Sequence, residues 1–106
     1  MKAKLLMEKT FAQRKVNDFL DSVGRNSYRS KDAYGIALAQ FQTFLHNRQD
    51  YQQQTLETII DAIRDNKIDI YPLLDNFVSY LTRLSLSPAT VNLYITAVKS
   101  YLQYHG

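Results

Sequence analysis

The sequence predicts an all-α domain, a compact bundle of four to five helices. Three observations carry that expectation. Apolar residues recur at spacings of three and four in five separate stretches, no stretch keeps the two-residue alternation of a strand, and only three glycines and two prolines interrupt 106 residues. A hydrophobic content of 45% with a net charge of +3 lies away from the composition of disordered chains. The length suits a single domain, residues 1–106, built around one modest core.

The first helix is expected from Thr10 to Val23, with Phe11, Val16, Phe19, Leu20 and Val23 as its apolar stripe and Gly24 as its stop. A polar, basic loop, Arg25 to Arg29, follows. Ser30 is the expected N-cap of the second helix, whose inward face is Tyr34, Ala37, Leu38, Phe41, Phe44 and Leu45. Gly35 interrupts that helix at a cost of about 1 kcal/mol relative to alanine, which points to close packing there. The polar stretch His46–Gln54 leads to a short third helix capped by Thr55, with Leu56, Ile59, Ile60 and Ile63 inward and Glu57 and Asp61 on an acidic outer side. The fourth helix is expected over Tyr71–Leu84, with Leu73, Leu74, Phe77, Val78, Leu81 and Leu84 as its apolar stripe, and Pro72 sits in a first turn that has no intrahelical N–H bond to lose. Ser87-Pro88 starts the fifth, a serine cap followed by proline at the first helical position. Its inward face is Val91, Tyr94, Ile95, Val98, Tyr101 and Leu102. Its outer face is Asn92, Thr96, Lys99 and Gln103, with no acid.

Charge is unevenly spread. Residues 1–48 hold nine Lys/Arg against four acids, residues 49–75 two against six, and residues 76–106 only Arg83 and Lys99 with no acid at all. Folding can gather such a chain into one basic face, and the plain alternative is a mixed solvated surface. The absence of cysteine excludes disulfides and thiolate metal sites, and no His/carboxylate spacing suggests another metal. No glycine-rich loop opens a helix, so no nucleotide or other cofactor is expected. The apolar trio Leu5-Leu6-Met7 is too short for a signal-peptide core and nothing approaches a membrane span, so a soluble cytoplasmic protein is expected.

The run Ser87-Pro-Ala-Thr-Val-Asn-Leu-Tyr-Ile-Thr-Ala-Val-Lys-Ser-Tyr-Leu-Gln-Tyr104 resembles the last helix of the core-binding domain of tyrosine recombinases and phage-type integrases. Ser30 to Leu45, with Tyr34, Leu38, Phe41 and Phe44-Leu45, is similar to that family's second-helix pattern, and Tyr71-Pro-Leu-Leu-Asp-Asn-Phe-Val-Ser-Tyr-Leu81 to its middle portion. The likeness spans about residues 10–106 and lies in order and spacing. It implies a SAM-like helical domain that lays its second and last helices on the major groove of double-stranded DNA, in concert with other recombinase protomers. It places the cutting chemistry in a separate catalytic domain beyond His105-Gly106, and the source in a prokaryote, virus or mobile element.

The expected DNA contacts form two clusters. Arg25, Tyr28, Arg29, Ser30 and Lys31 surround the start of the second helix, where backbone N–H groups and cations suit phosphate oxygens. Ser87 and Thr90 open the fifth helix, and Asn92, Thr96 and Lys99 line its outer face. Lys2, Lys4, Lys9, Arg14 and Lys15 are expected to add a basic arm or flank. None of the eight tyrosines is expected to be a nucleophile: Tyr34, Tyr94 and Tyr101 lie on apolar stripes, Tyr80 and Tyr104 belong to helices, and no Arg-Lys-His set is gathered around any of them. The domain by itself is therefore expected not to be an enzyme. His46 and His105 are expected to complement helix C-termini. Two rival readings are a helical protein–protein adaptor, which has no need for the acid-free segment after residue 76, and a helix-turn-helix regulator using the turn at Ser85-Leu-Ser-Pro.

Overall fold

The computed structural model describes residues 15–25 and 27–105, apart from the side chain of Tyr28. The expected first turn of the first helix and the cations Lys2, Lys4, Lys9 and Arg14 lie outside them. The described residues form five helices and no strand: α1 over 15–24, α2 Tyr28–Asn47, α3 Thr58–Arg64, α4 Ile70–Arg83 and α5 Pro88–His105.

The starts of α2 to α5 have identifiable caps, and one differs from the sequence expectation. Ser27, not Ser30, caps α2: its extended backbone aims Oγ at the Ser30 N–H, 3.2 Å away. Ser27 and Ser30 lie one turn apart and both suit the position; choosing the earlier one takes Tyr28 and Arg29 out of the loop and into the helix. Thr55 acts as expected through a reciprocal pair. Its Oγ1 accepts from Thr58 N at 3.1 Å while Thr58 Oγ1 accepts from Thr55 N at 2.8 Å, and regular helix begins at Thr58. Asp69 caps α4 through Tyr71 N at 3.1 Å, and Ser87 caps α5 through Thr90 N at 3.3 Å.

The exits also have a chemical basis. Asn66 takes the left-handed conformation (φ 59°) after α3, so that Lys67 N reaches Ala62 O and Asn66 N reaches Ile63 O, satisfying two of the last carbonyls. Ser85 does the same after α4 at φ 61°. Gly24 is different. It keeps a helical backbone, with no positive φ, and a Cβ there would lie 2.8 Å from Lys31 Cδ. Its missing side chain makes room for the Lys31 stem.

Gly35 corrects an expectation. A Cβ at this position would meet only Leu20 Cδ1, at an ordinary 3.9 Å, so nothing packs tightly enough to require glycine. Gly35→Ala is therefore expected to stabilise the domain by up to about 1 kcal/mol, read as a higher denaturation midpoint. A lower midpoint would reveal a constraint that this geometry does not contain.

The core joins Phe19 of α1, Leu38, Phe41, Phe44 and Leu45 of α2, Ile59 and Ile60 of α3, Leu73, Phe77 and Leu81 of α4, and Val98, Tyr101 and Leu102 of α5. Phe77 meets Phe41 edge-on at 5.0 Å and Phe44 at 5.3 Å. Tyr51 also belongs here, buried against Phe44 with Arg48 over its ring. It lies in the stretch that the sequence reads as purely polar. The irregular segment 48–57 is held through Leu56, whose N–H donates to Gln42 Oε1 at 3.0 Å and whose carbonyl accepts the Tyr101 hydroxyl at 2.7 Å.

Helix directions follow from these contacts. The start of α4 (Ile70, Tyr71, Leu74) lies beside the end of α5 (Lys99, Gln103), so these two helices run antiparallel. Phe19 bridges Tyr34 near the start of α2 to Tyr104 at the end of α5, while Phe41 and Phe44 further along α2 reach Phe77 in the middle of α4. Thus α2 also runs against α5, its most extensive neighbour.

Candidate nucleic-acid interface

The antiparallel pairing of α2 and α5 separates the two clusters singled out in the sequence. At 1.5 Å per residue the length of α5 puts Ser87 about 25 Å from the end that packs near the start of α2. They are two patches at opposite ends of the bundle.

The α2 patch is less basic than its sequence suggests. Lys31 Nζ pairs with Asp21 across the α1–α2 corner at 3.1 Å. The exposed Asp32 follows directly. Ser30 is half-buried in the first turn, its N–H already given to Ser27 Oγ, so it offers no free cap to a phosphate. Arg25 and Arg29 remain exposed and without an ion pair among the described residues. Tyr28 opens the helix. Lys15, expected as part of a basic flank, is committed to Asp61 at 3.4 Å.

The α5 patch lies open along the outer face of the helix. Asn92, Thr96, Lys99 and Gln103 are all exposed along one stripe. The Ser87 hydroxyl donates to Thr90 Oγ1 at 3.0 Å while accepting the Thr90 N–H, so both side chains are used to fix the first turn. The inter-helix turn adds a residue that was not among the expected contacts. Arg83 is exposed in the last turn of α4, its Nε donating to Ser79 O at 3.3 Å, and its remaining N–H groups have no acidic partner among the described residues. The absence of acids after residue 76 was the signal that could have found it.

Acids gather at the other end. Asp61, Asp65 and Asp69 lie on α3 and its exit, and this end of the bundle lines a shallow apolar groove of Ile60, Ile63, Ile70 and Leu102 beside Arg64 and Gln103. Along α4 the last carboxylate is the exposed Asp75, so the surface loses its acids over the second half of α4 toward the turn at 84–87.

Among the described residues no group of three potential metal ligands comes together, and no helix is long and apolar enough to cross a membrane. Tyr101 is fully buried, its phenol pushed up from the ordinary range by burial and then by the nearby Glu57 charge, while Tyr34, Tyr80 and Tyr94 pack against the core. His46 and His105 occupy last turns as expected, and His105 also reaches another helix, its Nε2–H donating to Lys15 O at 2.6 Å. Comparison with known proteins finds no family model, no curated protein and no solved structure that matches the chain.

Proposed function

We propose that this chain is a DNA-holding domain of the SAM-like kind that tyrosine recombinases and phage-type integrases use to grip a core site. The observation that carries the reading is the exposed outer stripe of α5, Asn92, Thr96 and Lys99, with Arg83 before the turn, in a segment that has no acid after residue 76, while Asp61, Asp65 and Asp69 gather on α3 and its exit. A surface that keeps carboxylates away and offers cations with hydroxyl and amide groups suits a polyanion whose grooves present hydrogen-bonding edges. The recombinase assignment itself is supported by the resemblance of Ser87–Tyr104. In this reading Arg83, Lys99, Arg25 and Arg29 hold phosphates, Asn92 and Thr96 approach base edges, and strand cutting belongs to a separate domain. Other protomers on the same DNA, and a cytoplasmic setting in a prokaryote, virus or mobile element, go with this reading.

The test is a titration of duplex DNA by anisotropy at about 50 and 200 mM salt. Largely non-specific binding by one small domain should give a Kd on the order of 10⁻⁴ to 10⁻⁶ M near physiological salt, weakening as salt rises. Arg29→Ala and Lys99→Ala should each weaken binding and reduce the salt slope by about one while leaving the helical signal intact. Binding that ignores salt, or none at low salt, would favour a protein-binding adaptor instead.

A further inference from the structure

The Glu57 carboxyl stands at the meeting point of α1, α3 and α5. Its Oε1 accepts the Val16 N–H at 3.3 Å, while Oε2 is out of contact with solvent and has no hydrogen-bond partner among the described residues. The sequence placed Glu57 on an acidic outer side of α3; the structure turns it half-inward, against the first described turn of α1. The groups around it are Lys15 on α1, Tyr101 and His105 on α5, and Asp61 on α3 itself. From α2 comes only the neutral Gln42. Three of the bonds that fasten the start of α1 pass through this cluster: Val16 N to Glu57, Lys15 O to His105, and Lys15 Nζ to Asp61.

We propose that this seam is a proton-sensitive latch, in which the Glu57 carboxyl holds α1 more tightly when it carries a proton than when it is ionised. A sealed, unpartnered oxygen is far costlier on a carboxylate than on a neutral acid, because the charge then lacks compensation. Burial accordingly raises the Glu57 pKa, only partly opposed by the Val16 and Lys15 amides and by the charges of Lys15 and His105. The sign follows. A carboxyl whose folded pKa exceeds its unfolded one contributes stability below the unfolded value, and that contribution is lost as pH rises through the folded one. The seam therefore opens more often as pH rises through the Glu57 titration and closes on acidification. This device is independent of what the outer surface binds.

The experiment is amide hydrogen exchange at Val16 in the full chain, corrected for intrinsic exchange, from about pH 4.5 to 7.5, alongside the Glu57 side-chain carboxyl titration by NMR. Protection should fall as pH rises, with a midpoint matching the Glu57 titration. Glu57→Gln should abolish that pH dependence and His105→Gln should keep it. A flat wild-type profile, or a midpoint that departs from the Glu57 titration, overturns the latch. So does a dependence that survives Glu57→Gln and vanishes in His105→Gln. The wild-type pair of measurements decides the matter even where a variant fails to fold.

Discussion

Replacing Phe77 by alanine should lower the unfolding free energy by about 3–5 kcal/mol. Domains of this kind have only about 5–15 kcal/mol in total, so the variant should unfold at a much lower denaturant concentration and be partly unfolded when warmed. The size of the effect comes from position as much as area. Phe77 is completely buried, and its ring sits between Phe41 and Phe44 of α2 while stacking on Tyr80 of its own helix. Contact between α2 and α4 is sparse compared with that between α2 and α5, and Phe77 with Tyr80, which meets Phe44 and Gln40, forms its aromatic centre. Alanine would leave a cavity that neighbouring rings, themselves held by further contacts, cannot close. Val78, the next residue, is exposed, and Val78→Ala should change stability by no more than about 0.5 kcal/mol. Urea denaturation of the two variants checks the contrast. Similar losses would mean that α4 is held by its helix rather than by its core ring.

The core was largely legible in the sequence, because spacings of three and four register one buried face directly. Leu73, Phe77 and Leu81 on α4 and Val98, Tyr101 and Leu102 on α5 lie buried where the periodicity puts them, whereas Val78 and Leu84, expected on the same α4 stripe, are exposed because they fall at its edge and beyond the helix end. The start of α5 was legible to the residue, since Ser87-Pro88 combines a cap and a fixed φ at adjacent positions. Elsewhere local signals were ambiguous or silent. Ser27 and Ser30 are equivalent to any local rule, and the choice between them moves Tyr28 and Arg29 into the helix. Tyr51 stands alone among polar neighbours, with no period to mark it, and only the return of the chain over Phe44 buries it.

The candidate site was legible as composition and not as geometry. That residues beyond 76 lack acids is written in the chain. That Lys31 pairs with Asp21, that Lys15 pairs with Asp61, and that the starts of α2 and α5 face opposite ends are consequences of tertiary packing. The same holds for Glu57, whose neighbours Val16 and His105 come from distant parts of the sequence.

Reversing two charges on the acid-free surface should have the largest effect on DNA. Arg83→Glu with Lys99→Glu removes two cations and inserts two anions where phosphates are proposed to lie, so binding at about 50 mM salt should fall by at least tenfold and become undetectable near 200 mM. Each lost phosphate contact removes roughly 0.9 from the slope of log K against log salt, so the residual slope should flatten by about two for the pair. Neither residue is in the core, and Arg83 makes only a local bond to Ser79 O, so stability should hold. The informative comparison is Asp65→Lys. It changes net charge by two units in the favourable direction but lies at the exit of α3, away from Arg83 and the turn before α5. If DNA senses only the summed charge of the molecule, Asp65→Lys should strengthen binding nearly as much as one reversal weakens it. If DNA lies against α5 and the turn before it, Asp65→Lys should act weakly, because charges more than about a Debye length away, near 8–10 Å at ordinary ionic strength, are screened. A strong effect of Asp65→Lys together with a weak one of Arg83→Glu would move the contact surface to the other end of the bundle.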